Sequence, residues 1–311
     1  MPSPDSSPVA SGAPLAAPER PGRALDDAAL AVALAHGAGE VLLGLRQEVD
    51  AAGVAFEARA LKDAGDAAAQ AWLAAALAAT RPGDAILSEE AEDGRARLSA
   101  DRVWIIDPLD GTREFAERTD DGGWRDDFAV HVALWERGAG LTAGAVALPG
   151  RGLVRSTAEP GRSTAEPGRD TTAEPAGPVA GRPLRVAASR TRPPAFVAAL
   201  AARGDVELVP MGSAGVKVMA VVSGEADAYV HSGGQFEWDS AAPVAVAEAA
   251  GLVCTRLDGS ALEYNRPDPW LPDLVVCPSP VEARLRELLA SVGVQGVSEN
   301  IRSENKEGAR S

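Results

Sequence analysis

The order of apolar and polar positions along the chain predicts alternating helices and strands. From Leu25, the apolar positions Leu30, Leu34, Val41, Leu42 and Leu45 recur at helical spacing. They predict a long amphipathic helix with Asp26 and Asp27 in its first turn, where the helix dipole favours acids. Leu61 to Asp66 opens an Ala-rich helix that runs to about Thr80, and Asp63 and Asp66 suit its capped start. After a turn at Arg81 to Asp84, Ala85-Ile86-Leu87 reads as a short strand. Val103 to Ile106 has the length and branching of a buried strand, which Pro108 is expected to stop. Phe128 to Trp135 and Leu141 to Leu148 read as paired strands across a turn at Gly138 to Gly140. Leu184 to Ala188 is a further strand, and Met211 to Lys217 opens a helix. Ala226 to His231 is a strand, and Gly233 to Phe236 a loop leading to Asp239, the expected N-cap of a helix over Ser240 to Ala250. Asp273 to Cys277 and Pro280 to Leu289 supply a last strand and helix. The fold class is α/β.

Two kinds of stretch interrupt this rhythm. Residues 1–22 are rich in Pro, Ser and Ala and are expected to be a disordered tail, and residues 298–311 a polar tail. The heptapeptide S-T-A-E-P-G-R at Ser156 to Arg162 recurs at Ser163 to Arg169, with a degenerate third copy near Thr172 to Pro175. So few polar copies cannot stack into a solenoid. They read as a disordered loop over 155–182, dividing a single domain at 23–297 into two lobes with a boundary near 150–184.

Composition narrows the class. The chain has 311 residues, 46% of them hydrophobic, enough for a large core. A net charge of −15 argues against nucleic acid or an anionic membrane as partner, and a phosphate substrate would need local cations. Cys254 and Cys277 lie in apolar, strand-like runs and read as reduced core residues. No stretch reaches the ~18 apolar residues of a membrane helix, and no signal peptide is apparent. A cytoplasmic location is expected. His36 and His131 read as structural histidines.

The candidate chemistry centres on V-W-I-I-D-P-L-D-G-T-R-E-F, Val103 to Phe115. Asp107 and Asp110 fall at one end of a buried strand, and carboxylates that close repel unless a cation lies between them. Hard oxygen ligands suit Mg²⁺, with Mn²⁺ as a substitute. Gly111 would let a phosphate approach backbone N–H groups, and Thr112 adds a hydroxyl. A bare D-x-x-D-G is also an ordinary surface turn. Two further stretches, Ser88-Glu89-Glu90 and Glu237-Trp238-Asp239-Ser240-Ala241-Ala242-Pro243, tip the balance.

Together the three motifs resemble the inositol monophosphatase superfamily of Mg²⁺-dependent, lithium-sensitive phosphatases, in order over roughly Leu25 to Leu289. The resemblance implies a layered α-β-α-β-α sandwich of the inositol monophosphatase/fructose-1,6-bisphosphatase type. It implies metal ligation of two or three ions by Glu89, Asp107, Asp110, Asp239 and the Leu109 carbonyl, with Glu90 behind Glu89. Asp66 and Thr112, with Glu89, would activate the attacking water. The family pattern before Asp66 is T-x-x-D, and this chain has Asp63 where the Thr belongs.

Several details resemble the branch of CysQ-type 3′(2′),5′-bisphosphate nucleotidases. These are L-S-E-E at Leu87 to Glu90, T-R-E-F at Thr112 to Phe115, and G-S-x-x-x-K at Gly212 to Lys217. Ser189-Arg190-Thr191-Arg192 is similar to that branch's S-R-S-H, with Arg192 in the His position. The branch implies hydrolysis of 3′-phosphoadenosine 5′-phosphate to AMP in sulfate assimilation. It places Gly111, Thr112, Arg190, Ser213, Lys217, Glu237 and Asp239 around a small phosphorylated nucleotide. A homodimer is compatible with it. Two other readings stay open: an inositol or fructose bisphosphate phosphatase, and a non-catalytic nucleotide sensor. The polar loop Ala116 to Asp127 is a candidate flap or an ordinary hairpin insertion.

Overall fold

The computed structural model describes residues 18–53, 55–160, 182–191 and 193–294. The expectations for the repeat copies beyond residue 160, for Arg192 and for the polar C-terminal tail lie outside the described residues, as does most of the N-terminal tail.

Among the described residues, two five-stranded sheets and seven α-helices stack in five layers. Helices α1 (Asp27–Ala52) and α2 (Ala58–Thr80) form the first layer. The second is the sheet β1-β2-β3-β4-β5, made of Ala85–Ser88, Arg102–Asp110, Ala129–Glu136, Gly140–Leu148 and Leu153–Ser156. Helix α3 (Thr112–Phe115) is a single turn following β2. The middle layer is α5 (Ala214–Val222) with α6 (Glu237–Ala249). The second sheet has the order β7-β6-β8-β10-β9, from Val206–Met211, Leu184–Ser189, Ala228–Phe236, Trp270–Cys277 and Val253–Thr255. Helices α4 (Ala195–Ala202) and α7 (Ser279–Ser291) close the stack. The expected α-β-α-β-α architecture is the one found.

Two-residue alternation divides each strand between adjacent cores. Trp104 and Ile106 pack under α1 and α2 together with Val130 and Val132. Val103, Ile105, Ala129 and Ala133 face the other way, onto α5 and α6. Continuing that alternation puts Asp107 and His131, which are cross-strand partners, on the face that meets the middle layer. Buried on both faces, β2 reads as a continuous apolar run because no face of it meets water.

Some elements depart from the expected pattern. Strand β2 continues through Pro108 to Asp110, and its pairing with β3 absorbs the proline as a register shift between Asp107 and Asp110. Helix α2 begins at Ala58, so Asp63 and Asp66 lie inside it rather than capping it. Strand β8 runs on through Gly233 and Gly234 to Phe236, where the pairing with β10 shifts register. Asp239 is in the first turn of α6 instead of being its N-cap, and accepts the Phe236 N–H at 2.6 Å. Residues 18–22, expected in the tail, begin against α2: Trp72 donates to the Pro18 carbonyl at 3.2 Å. Among the described residues α1 alone is long and apolar enough to cross a membrane, yet its Leu30, Leu34 and Leu42 are wholly buried in the first core.

Candidate active site

Asp107, Asp110 and Asp239 each offer an oxygen within 4.8 Å of the other two. The first two come from the end of β2 and the third from the start of α6, so opposite sides of the domain meet here. Asp107 is wholly buried; one oxygen accepts the Leu109 N–H at 3.0 Å. The other, Oδ2, is buried without a hydrogen-bond partner among the described residues. Burial, then the charges of Asp110, Glu89 and Asp239, push the Asp107 carboxyl well above its usual range. Burial and Asp110 raise Asp239 to about 7. Glu89, at the end of β1, is also held at about 7, first by burial and then by Asp239 and Asp110. It stands outside the tight trio and faces solvent.

Asp110 behaves oppositely. Burial raises it, but His131, Lys217 and Ser213 outweigh burial and hold it at about 2. Ser213 Oγ donates to its Oδ2 at 2.5 Å, the Gly215 N–H donates at 2.8 Å, and His131 Nε2 lies 3.3 Å away. Ser213 also caps α5, accepting the Val216 N–H at 3.1 Å. His131 is fully buried with Nδ1 3.1 Å from the Trp238 carbonyl. Burial opposes its charge, but Asp110 and that carbonyl raise its pKa, and the ring stands between Asp110 and the first turn of α6. His131, expected to be structural, lies against the carboxylate cluster. Its alternation with Ala129 and Ala133, on the face carrying Asp107, was the available signal.

Lys217 lines the pocket beside these carboxylates. It is 7% exposed, donates from Nζ to the Gly212 carbonyl at 3.2 Å and lies 5.5 Å from the Tyr229 ring centre. Burial lowers its pKa, and Asp110, Glu114, Asp127 and Asp239 oppose that shift. A cavity of about 380 Å³ beside it is lined by Asp110, Ser213, Lys217 and Asp239 on one side and by β8 on the other.

Thr112 Oγ1 sits 3.1 Å from the Leu109 carbonyl and also hydrogen-bonds Asp66. Asp66 is raised to about 6, first by burial and then by the charges of Glu90 and Asp63. Gly111 between β2 and α3 has φ 88°, and a Cβ there would meet Asp127 O, Phe128 Cα and Ser213 Cβ at 3.2 Å. The turn therefore requires glycine in both conformation and space.

Two expected substrate contacts have partners within the protein. Arg190 pairs with Asp127 and Glu114, so its guanidinium is committed within the protein. The Glu237 carboxylate is 1% exposed and accepts the backbone N–H groups of Asn265 and Arg266 at 2.6 and 2.8 Å. It anchors a loop, with burial raising it to about 7. Nor is the loop after Phe115 a free flap. Buried Arg46 of α1 donates to the carbonyls of Phe115, Glu114 and Arg125 at 2.9, 3.1 and 2.8 Å, and Trp124 donates to Asp50 at 3.0 Å.

Comparison with known proteins identifies this arrangement. The profile of the inositol monophosphatase family matches residues 25–295. The chain belongs to that family. It is 49% identical over 264 residues to a 3′-phosphoadenosine 5′-phosphate phosphatase of Mycobacterium leprae, covering 81% of this chain and 89% of that protein. It is 30% identical over 210 residues to the 3′(2′),5′-bisphosphate nucleotidase CysQ of Escherichia coli K12, covering 67% of this chain and 81% of that one. Among solved structures, CysQ from Bacteroides thetaiotaomicron aligns with TM-score 0.64 and 28% identity over 81% of this chain and 97% of that chain. Mycobacterium tuberculosis SuhB shares the fold, with TM-score 0.61 and 23% identity over 86% and 97%.

Inositol monophosphatase family members are metal-dependent phosphatases, and the trio here fits a cation on its own chemistry. Its donors are all hard carboxylate oxygens, one is buried and unpartnered, and the mutual repulsion that raises Asp107 and Asp239 is the repulsion a cation relieves.

Proposed function

We propose that the chain is a Mg²⁺-dependent phosphatase that removes the 3′-phosphate of 3′-phosphoadenosine 5′-phosphate, giving AMP and phosphate, as a cytoplasmic enzyme of sulfate assimilation. The observation that carries this reading is the 49% identity across 89% of a protein of that named activity. It is supported by a carboxylate cluster that opens into a nucleotide-sized cavity. Free Cys254 and Cys277, packed toward opposite faces of the second sheet, suit a reducing compartment.

Asp107, Asp110, Asp239, Glu89 and the Leu109 carbonyl would hold the ions. Bound divalent cations supply Lewis acidity, neutralising the phosphate and making water easier to deprotonate. The protein supplies the rest. Thr112 has one proton and two acceptors, the Leu109 carbonyl and Asp66. Turned toward Asp66, its oxygen can take the attacking water's proton as its own proton moves to the Asp66 carboxylate. Asp66, poised at about 6, is ionised at neutral pH yet basic enough to serve. Water attacks phosphorus as the bond to O3′ breaks. His131, Ser213 and the Gly215 N–H fix Asp110, so the ligand geometry costs little reorganisation on binding. Lys217, in the lining of that cavity, would hold a second phosphate.

The test is phosphate release with Mg²⁺ from 3′-phosphoadenosine 5′-phosphate, inositol 1-phosphate and fructose 1,6-bisphosphate. A kcat/KM for the nucleotide at least tenfold above the others is expected, and preference for either of the others refutes the reading. Lys217→Ala should raise KM for the nucleotide about tenfold or more, the scale of one charge-assisted hydrogen bond, and far less for inositol 1-phosphate.

A further inference from the structure

Arg46, on α1, is buried beside the turn that carries Thr112, and the phosphate chemistry gives it no task. It is 4% exposed. Its three acceptors are backbone carbonyls rather than carboxylates: Nε donates to Phe115 at 2.9 Å, Nη1 to Arg125 at 2.8 Å and Nη2 to Glu114 at 3.1 Å. Its Cζ lies 4.3, 4.9 and 5.0 Å from the ring centres of Phe128, Trp124 and Phe115. A guanidinium in such a place has given up most of its hydration, and a buried ion is often no more stabilising than an apolar side chain of the same volume. What an apolar side chain cannot do is hold carbonyls. The planar fork of arginine holds them in a fixed mutual geometry.

Two of those carbonyls end α3. That helix has four residues, and a single turn has too few hydrogen bonds to offset the cost of ordering it. Its surroundings must hold it. At its start, Thr112 Oγ1 sits 3.1 Å from the Leu109 carbonyl and hydrogen-bonds Asp66. At its end, the fully buried Phe115 is seated against Gly65 of α2: a Cβ on Gly65 would stand 2.6 Å from Phe115 Cε1 and 3.0 Å from Leu109 Cδ2. Gly65 immediately precedes Asp66. The same short turn therefore presents its hydroxyl to Asp66 and its ring to the residue before it, while Arg46 grips its last two carbonyls.

We propose that Arg46 is a positioning residue for hydrolysis, fixing α3 so that Thr112 meets Asp66 in the geometry that activates water. The proposal rests on the Thr112–Asp66 pair of the reading above, but not on which phosphate ester is cut. Arg46 acts only through Thr112, so its loss should lower kcat and leave KM nearly unchanged. Lysine in its place keeps the charge but replaces the planar fork by a point charge. Methionine keeps the bulk and removes the charge.

The experiment measures kcat, KM and thermal melts in saturating Mg²⁺ for Arg46→Lys, Arg46→Met, Thr112→Ala and the double variant Arg46→Met with Thr112→Ala. The substrate is whichever of the three esters above the parent cleaves best. Each Arg46 variant should lose about tenfold to a hundredfold in kcat, a misplacement of about 1 Å at a reacting centre costing on the order of 100-fold, with KM within about threefold of the parent. In the Thr112→Ala background, Arg46→Met should cost less than about threefold, because the group it positions is gone. Gly65→Ala, which presses on Phe115 from α2, should reproduce the kcat loss, and it decides the matter where an Arg46 variant does not fold. Arg46 variants, or failing those Gly65→Ala, with kcat within threefold of the parent overturn the proposal. So does an equal loss in both backgrounds, which marks a general structural role, or a loss carried by KM. If Thr112→Ala itself stays within threefold of the parent, the water-activating pair fails, and the role of Arg46 with it.

Discussion

Replacing Gly215 by alanine adds one methyl group at the point where α5 crosses β3. Helix propensity alone favours the change by about 0.5–1 kcal/mol. Packing reverses the sign. The new Cβ would stand 2.1 Å from His131 Nε2 and about 3 Å from two ring carbons. That is more than 1 Å inside ordinary contact, against a ring that is fully buried and cannot swing aside. Overpacking of this kind costs about 1–3 kcal/mol. The same displacement pulls at Asp110, which receives both the Gly215 N–H and His131, and a misplacement of about 1 Å at a reacting centre costs on the order of 100-fold in rate. Gly44→Ala, inside α1 with nothing within 4 Å of its added methyl, is the matched control. Steady-state kinetics in saturating Mg²⁺ and thermal melts of both variants measure the two effects. Gly215→Ala should lose activity about 100-fold and melt several degrees lower, whereas Gly44→Ala should melt slightly higher with parental kinetics. If Gly215→Ala stays within threefold of the parent and melts no lower, the tight Asp110–His131–α5 junction is not what positions the metal ligand.

Asp107→Asn keeps the side chain's shape and removes the buried charge with the unpartnered oxygen; turnover should fall at least about 1,000-fold, and activity within tenfold in saturating Mg²⁺ would contradict its place in the cluster. Asp63→Asn removes one of the charges that raise Asp66; the base is then ionised at lower pH, so the acid limb of kcat/KM should move down by a few tenths of a pH unit, as expected of an exposed pair worth about 0.2–1 kcal/mol, and an upward or absent shift would remove Asp63 from the account. Asp227, 1% exposed, accepts from Arg182, the Arg185 side chain and the Arg185 N–H; Asp227→Ala should cost roughly 1–3 kcal/mol in urea unfolding, and a loss below about 0.5 kcal/mol would show that the two arginines are equally well solvated without it.

The motifs made the layered fold and the carboxylate cluster legible in the sequence, because both depend on short, dense local patterns. What escaped depends on partners far away in the chain. Arg190 looked like a phosphate contact because it follows a strand in a motif similar to S-R-S-H, but its partners Asp127 and Glu114 lie 63 and 76 residues upstream. Glu237 sits within the most family-like motif, yet its carboxylate turns toward a loop 28 residues later. His131 was visible only as a break in an apolar strand; its meaning came from the cross-strand register with Asp107. Short elements such as α4, β7 and β9 carried no periodicity long enough to read. Pro108 was read by its usual effect on strands, whereas a local register shift lets β2 continue past it.

The three clustered carboxylates belong to different parts of the stack: Asp107 and Asp110 to the first sheet, and Asp239 to the helix that leaves the second. Like charges placed across such a seam act as a wedge. Because folding raises the pKa of Asp239 to about 7 and of Asp107 well above its usual range, protonation relieves the wedge, and its full cost is felt only as pH rises through those values. A divalent ion relieves the same strain once the carboxylates have lost their protons, contributing about 2.7 kcal/mol at a hundredfold excess over its Kd. Protons and metal ions are thus rival fillings for one electrostatic gap, and the cohesion of the two sheets is a reading of how full that gap is.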